Sequence, residues 1–214
     1  ESSAAPVGVH NSPVEISESY IVKSPDSCKI SCVAGAGTGL GQALLMGDKN
    51  SGWTVFPTEG GHQPFAPISP YESEIHSLLR KTYGYVSFEL ICSGRGLVKV
   101  YHTIAQIQGR SVSNLTASDI TERAKIGDSL AIDTCEFAAN SLMSFIGNAV
   151  LSSGAWNGAV IAGGVSQHLL PYLGRPEALA RFNEKGQMQA RMARVPLRIL
   201  IDPTAPLIGA ASSS

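Results

Sequence analysis

Charge is scarce in this chain: 15% of its 214 residues are Asp, Glu, Lys or Arg, against about 25% in an ordinary soluble domain. The formal net charge is −1. A chain so thinly charged has no electrostatic footprint for nucleic acid or for an anionic membrane. Long apolar runs are also missing, and none reaches the roughly 18 residues needed to span a bilayer. The opening residues, Glu1-Ser2-Ser3-Ala4-Ala5-Pro6, lack the basic and apolar regions of a signal peptide. Cysteine is sparse and unclustered. Cys28, Cys32, Cys92 and Cys135 form no C-x-x-C pair. The first three lie in strand-like runs and Cys135 in a helical one, so they read as buried free thiols of a reducing compartment. A zinc site would need tighter clustering or nearby histidines. His10, His76, His102 and His168 are scattered and read as structural or exposed. No Lys-Ser or Lys-Thr follows the glycines, which excludes a Walker A loop.

Glycine, by contrast, is plentiful, with 22 residues. Many cluster, as expected of tight turns and close backbone approaches. The length suits one sizeable core. Residues 1–27 form a polar lead-in with Pro6, Pro13 and Pro25, in which Val14–Val22 is a candidate edge strand or packed arm. From Cys28 to Ala34 the pattern alternates as a strand and runs into Gly35-Ala36-Gly37-Thr38-Gly39-Leu40-Gly41. Leu44-Leu45 and Trp53–Phe56 read as two further strands joined by a turn over 48–52. Tyr71–Tyr83 carries helical spacing, with Ser73 as its candidate cap. Val86–Ile91 reads as a short extended run or the start of a buried segment. Gly96–Ile107 is helical, and Ser118–Glu122 carries capping-box spacing. The clearest helix is Ser129–Leu151, with Leu130, Ala138, Leu142, Phe145, Ile146 and Ala149 on one stripe and Gly154 as its stop. Gly158–Ala162 is a central-strand candidate leading into Gly163-Gly164. Pro176–Gly186 is helical, Leu197–Ile201 is a last strand, and Pro206–Ala211 begins a further helix. Strands, then helices, then strand, helix and strand describe a mixed α/β sheet covered by helices.

Two groups of residues carry chemistry. The first is the glycine run. Phosphate binding requires several backbone N–H groups converging on one point, and side chains obstruct that approach. Gly37 and Thr38 sit at the centre of the run, Thr38 adding a hydroxyl. A structural loop demanding positive φ is the alternative. Gly163-Gly164, at the end of a strand, is a second place where a ligand would sit. The second group is polar. Glu59 and His62 flank Gly60-Gly61, so the chain can turn both side chains towards one ligand. A carboxylate accepts two or more hydroxyl hydrogen bonds, and a neutral imidazole accepts one and donates one. That chemistry suits vicinal diols. Glu89, set among Val86, Phe88, Leu90 and Ile91, needs a partner for its carboxylate. The alternatives are a solvated loop residue, a packed histidine and a capping or ion-paired glutamate. Arg95, between Gly94 and Gly96, is an anion contact or a surface residue.

Taken in order, these motifs resemble the large domain of bacterial-type glucokinases, in the hexokinase and actin-like ATPase superfamily. The resemblance rests on Gly35–Gly41, on Glu59-Gly60-Gly61-His62 with Phe65-Ala66-Pro67, and on Glu89 with Ser93-Gly94. It extends through Asp119–Ala124, Ile161–Gly164, Arg181-Phe182 with Lys185-Gly186, and Pro206–Ala211. It implies a ribonuclease-H-like, three-layer α/β domain over residues 28–214. It implies ATP and Mg²⁺ as cofactors, glucose as substrate, a homodimer and a cytoplasmic setting. Glu59, His62 and Glu89 are then expected to hold the sugar, Gly37 and Thr38 the nucleotide phosphates, and Gly163 and Gly164 the adenosine side. The chain departs from the pattern in three ways. The family's small preceding domain, with an Asp-x-Gly-Gly-Thr loop and a catalytic aspartate after an asparagine, has no counterpart here. That domain is therefore expected to be required, and Asp119 and Asp202 are not its substitutes. Arg95 stands where the family has proline. The alternative function is a sugar-binding or sensing domain without catalysis.

Overall fold

The computed structural model describes residues 15–17, 29–48 and 52–201. Its centre is a six-stranded mixed sheet. In chain order the strands are β1 (Glu15–Ser17), β2 (Lys29–Ala36), β3 (Leu40–Asp48), β4 (Gly52–Thr58), β5 (Gly158–Ala162) and β6 (Leu197–Leu200). Their spatial order is β1-β6-β5-β2-β3-β4. The strands β2, β3 and β4 form an antiparallel meander. The strands β5 and β6 add in parallel beside β2, and β1 pairs in parallel with β6. The consecutive parallel strands β5 and β6 are joined by a helical crossover, as that connection demands. The candidate edge strand in the lead-in thus exists, over three residues of its expected span.

Between β4 and β5 lie α1 (Pro70–Tyr83), α2 (Phe88–Cys92), α3 (Gly94–Ile107), α4 (Ala117–Lys125) and α5 (Ser129–Ser153). Between β5 and β6 lie α6 (Gly164–His168), α7 (Leu170–Leu173), α8 (Pro176–Asn183) and α9 (Gln189–Met192). This is the ribonuclease-H-like, actin-like α/β class expected from the sequence. Helix α5 organises the core. It packs on β2 and β5 and touches α2, α3, α4, α7 and α8. Apolar residues surround most of it, so burial reaches well beyond the one expected stripe: Ala131, Thr134, Cys135, Met143 and Val150 are all fully buried. Asp128 caps its start, accepting from the N–H groups of Leu130 and Ala131 at 3.0 and 3.3 Å. Gly154 ends it in the left-handed conformation, φ 67°. On the sheet, Cys32, Ala34, Ala36, Ala159, Ile161 and Ile199 are buried, while Val33, Gly35 and Val160 between them are half-buried. The period-two alternation selects one face for the core.

Several local expectations need correction. Val86–Ile91 is not extended; α2 occupies most of it, because Ser87 Oγ accepts from Leu90 N–H at 3.1 Å and starts a helical turn. Cys92 is therefore helical. Helix α1 is capped by Ser69 rather than Ser73. Ser69 stands before Pro70, whose fixed φ suits the first helical position, and its Oγ accepts from Glu72 N–H at 3.2 Å. The capping box of α4 is Thr116 with Asp119, two residues ahead of Ser118. The helix over 176–186 stops at Asn183 and gives way to a 3-10 turn, Gly186–Met188. Helices α6, α7 and α9, each of four or five residues, are additions. Cys32, Cys92 and Cys135 are buried free thiols as expected, whereas Cys28, Asp202 and Pro206–Ala211 lie outside the described residues.

Candidate active site

The glycine run is a β-hairpin. Gly35 pairs with Gly41 and Ala36 with Leu40, so Gly37-Thr38-Gly39 is left as the turn. None of the four alternating glycines adopts positive φ, so backbone strain is not what requires them. A Cβ on Gly35, Gly37 or Gly41 would meet nothing within 4 Å. Gly39 is different, since its Cβ would lie 2.7 Å from Oε2 of Glu89. That carboxylate oxygen accepts a hydrogen bond from Leu40 N–H at 2.9 Å. Glu89 thus has its partner in the backbone of the hairpin, and its other oxygen bonds to no described group.

The next loop meets the same residue, Leu40, at its carbonyl. After β4 the chain enters a 3-10 turn, Gly60–His62. A side chain on Gly61 would collide with the Leu40 carbonyl, and one on Gly60 with the Gln42 side chain. At Gly61 only glycine allows this approach to the β3 backbone, whereas at Gly60 the flexible Gln42 side chain would have to move aside. The turn is stitched to the start of α2. Phe88 N–H donates to the Gln63 carbonyl at 3.0 Å, and Tyr85 Oη–H donates to the His62 carbonyl at 2.8 Å. Glu59 and His62 emerge together, with Oε2 and Nε2 3.8 Å apart and both side chains largely in solvent. A pair this open interacts weakly with itself and keeps its hydrogen-bonding capacity for a ligand.

The far side of the hairpin turn is a cavity. Gly94 N–H donates to the Gly37 carbonyl at 2.8 Å, tying the start of α3 to the turn. Gly163, at φ 100°, presses so closely on Ala36 that a side chain would strike its backbone. Gly164 opens α6 beside it. Between these elements lies a space of about 630 Å³, lined by Gly37 and Thr38 of the turn and by Gly164, Val165 and His168. Its size falls within the usual range for small-molecule sites, roughly 300–1,000 Å³. Arg95, Leu97, Val98, Ala117, Ser118 and Thr121 complete the wall. Apolar carbons there suit a flat ring, and the hydroxyls suit a ribose. In the sequence Ser118 and Thr121 carry only a capping signal and His168 is one of the scattered histidines. Their place here depends on how α4 and α6 pack, which no local motif encodes. Asp119 is occupied within its capping box, where bonds from Thr116 hold its carboxyl below the usual range. Among the described residues no three His, Cys, Asp or Glu side chains group as a metal site, and no helix is long and apolar enough to cross a membrane.

A three-stranded meander extended by three parallel strands and covered by helices defines the actin-like α/β fold. Comparison with known proteins places it further. The glucokinase family model matches residues 7–214. The glucokinase of Xylella fastidiosa strain M23 is 37% identical over 180 residues, 84% of this chain and 53% of that protein. That of Caulobacter sp. strain K31 is 37% identical over 179 residues, 84% of this chain and 54% of that protein. The crystal structure of a glucokinase from an Antarctic psychrotroph superimposes with a TM-score of 0.80 at 30% identity, over 90% of this chain and 60% of its own. The chain belongs to the glucokinase family. It spans about half the length of the curated relatives it matches.

Proposed function

We propose that this chain supplies the sugar platform and one wall of the nucleotide site of a kinase that transfers the γ-phosphoryl group of ATP to the C6 hydroxyl of glucose. The observation that carries the reading is the hairpin around Leu40, which holds Glu89 on one side and borders the 630 Å³ cavity on the other. Glu59, His62 and the unbonded oxygen of Glu89 hold the sugar hydroxyls. Gly37 and Thr38 face the phosphates, and Gly163 and Gly164 shape the adenosine end. Phosphoryl transfer demands chiefly positioning and charge stabilisation, and a fixed hairpin shared by both ligands provides positioning. The described acids offer no metal cage, so Mg²⁺ arrives on the nucleotide phosphates, as this ion commonly does. Its role there is to neutralise charge on the transferred group. The general base comes from the part of the relatives' length that this chain does not span, because Asp119 serves as a cap. A cytoplasmic homodimer is part of the same proposal and rests on family membership.

The test is calorimetric titration of the chain with glucose, beside a coupled assay with Mg-ATP. Binding without turnover is expected. Turnover by this chain alone would overturn the assignment of the base. Glu59→Gln removes a charge-assisted acceptor worth about 1.5–3 kcal/mol, so glucose affinity should fall by roughly 10- to 100-fold. An unchanged affinity would remove Glu59 from the sugar site.

A further inference from the structure

We propose that Arg95 is a specificity-determining residue of the nucleotide cavity, its guanidinium gripping the phosphate chain of the bound nucleoside triphosphate. The inference rests on the nucleotide reading above and adds to it a group that this reading does not use. Arg95 lines the cavity and is one residue removed from Gly94, whose N–H is bonded to the Gly37 carbonyl in the hairpin turn. A Cβ on Gly94 would lie 3.5 Å from that carbonyl oxygen. Arg95 therefore stands beside the hairpin turn, with Val165 and Ala117 also near, their Cγ2 and Cβ 3.7 and 3.9 Å from the same Gly94 position. Leu97, Val98, Ala117 and Val165 give the cavity apolar lining on which a base can pack.

The charge balance singles this residue out. No carboxylate is among the described residues lining the cavity. Arg110, Arg123, Arg175 and Arg181 each pair with an acid, whereas among the described residues nothing pairs with the Arg95 side chain. An arginine is always protonated and presents a planar fork of donors matched to phosphate oxygens. A free fork in a cavity without acids favours a polyanion over a neutral nucleoside. Because the side chain is exposed, water and salt moderate the gain, to about tenfold in affinity.

Calorimetric titration of the chain with Mg-ATP and with adenosine, at low and at high salt, tests this. Arg95→Ala should weaken Mg-ATP about tenfold, leave adenosine unchanged and lose most of the salt dependence, while Arg95→Lys restores part of the affinity. The melting temperature should not move, since the side chain bonds to no described group. Equal loss of Mg-ATP and adenosine would mean that Arg95 supports the base or the cavity wall, and would overturn the proposal. So would an unchanged Mg-ATP affinity in Arg95→Ala. A wild-type chain that binds adenosine as well as Mg-ATP would remove Arg95 alone. A wild-type chain that binds neither would overturn the nucleotide reading together with it.

Discussion

Replacing Gly39 with alanine should uncouple sugar affinity from stability. The new Cβ would stand 2.7 Å from Oε2 of Glu89 and 3.4 Å from its Cδ, and the first distance is too short to persist. The hairpin cannot retreat easily, because Ala36↔Leu40 and Gly35↔Gly41 pair immediately behind it. The carboxylate is the far end of a flexible side chain and withdraws instead, breaking its 2.9 Å bond from Leu40 N–H. For the fold this is a modest loss of about 0.5–1.5 kcal/mol, since the half-buried carboxylate regains water. Melting should drop by only a few degrees, roughly 2–4 °C per kcal/mol for a chain of this size. For the sugar, the displaced carboxylate forfeits a charge-assisted bond of about 1.5–3 kcal/mol, a 10- to 100-fold weaker glucose affinity. Gly41→Ala is the control. It meets nothing within 4 Å and should stay within about 0.5 kcal/mol of wild type. Thermal melts and glucose titrations of both variants decide the matter. In a Glu89→Ala background, Gly39→Ala should cause no further loss of affinity. Wild-type glucose affinity in Gly39→Ala, or equal damage from Gly41→Ala, would refute the reasoning.

Arg181 donates to Glu72 Oε1 at 2.9 Å and to Ser144 Oγ at 2.9 Å, fastening α8 to α1 and α5 in a nearly buried network. Arg181→Met strands the Glu72 carboxylate and should destabilise by about 3–5 kcal/mol in denaturant titrations. Lys185 is held down to about 8, by burial first and then by the charge of Arg181. Its folded value lies below the ordinary 10.5, so between these values the unfolded chain binds more protons and stability rises with pH. Below pH 8 the penalty is fully present. Lys185→Met should therefore melt above wild type at pH 7, and the gap should close as pH approaches 10. Burial pushes the Cys32 and Cys135 thiols up to about 12, and Cys92 upward as well. These three thiols should resist thiol-directed reagents at pH 8 in the native protein and react at once when it is denatured, as mass mapping of the labelled cysteines would show.

How much of this was legible in the sequence differed by length scale. The 25-residue α5 carries a long apolar stripe and a clear stop, the strand Gly158–Ala162 is an unbroken apolar run, and both appear where expected. The five-residue α2 is too short to show a helical period, and its apolar composition suits an extended run; the Ser87 cap that starts the helix is a feature of the folded chain. Alternating glycines read as one loop because pairing across a hairpin is invisible in a single strand. In the structure four of those seven residues are in register as strand. For the site, the sequence marked the residue types and their order. What it did not carry was the third dimension: the backbone partner of Glu89, and the cavity wall contributed by α4 and α6.

The Leu40 peptide explains why these motifs belong together. Its N–H fixes Glu89, and its carbonyl leaves room only for glycine at 61, so the loop bearing His62 is referenced to the same point. One turn back, the Gly37 carbonyl takes the N–H of Gly94, which sets the start of α3 and the cavity wall. Three segments distant in sequence are thus indexed to backbone atoms of one tight hairpin, Glu89 by its carboxylate and the other two by backbone contact. Backbone atoms paired in a sheet have little rotational freedom to lose, so the positions of sugar-facing and phosphate-facing groups vary little relative to each other. The close approaches, to backbone at Gly61 and Gly163 and to side chains at Gly39 and Gly60, constrain the sequence at residues that touch no proposed substrate hydroxyl. An enlarged side chain at any of these positions acts on the site through geometry alone.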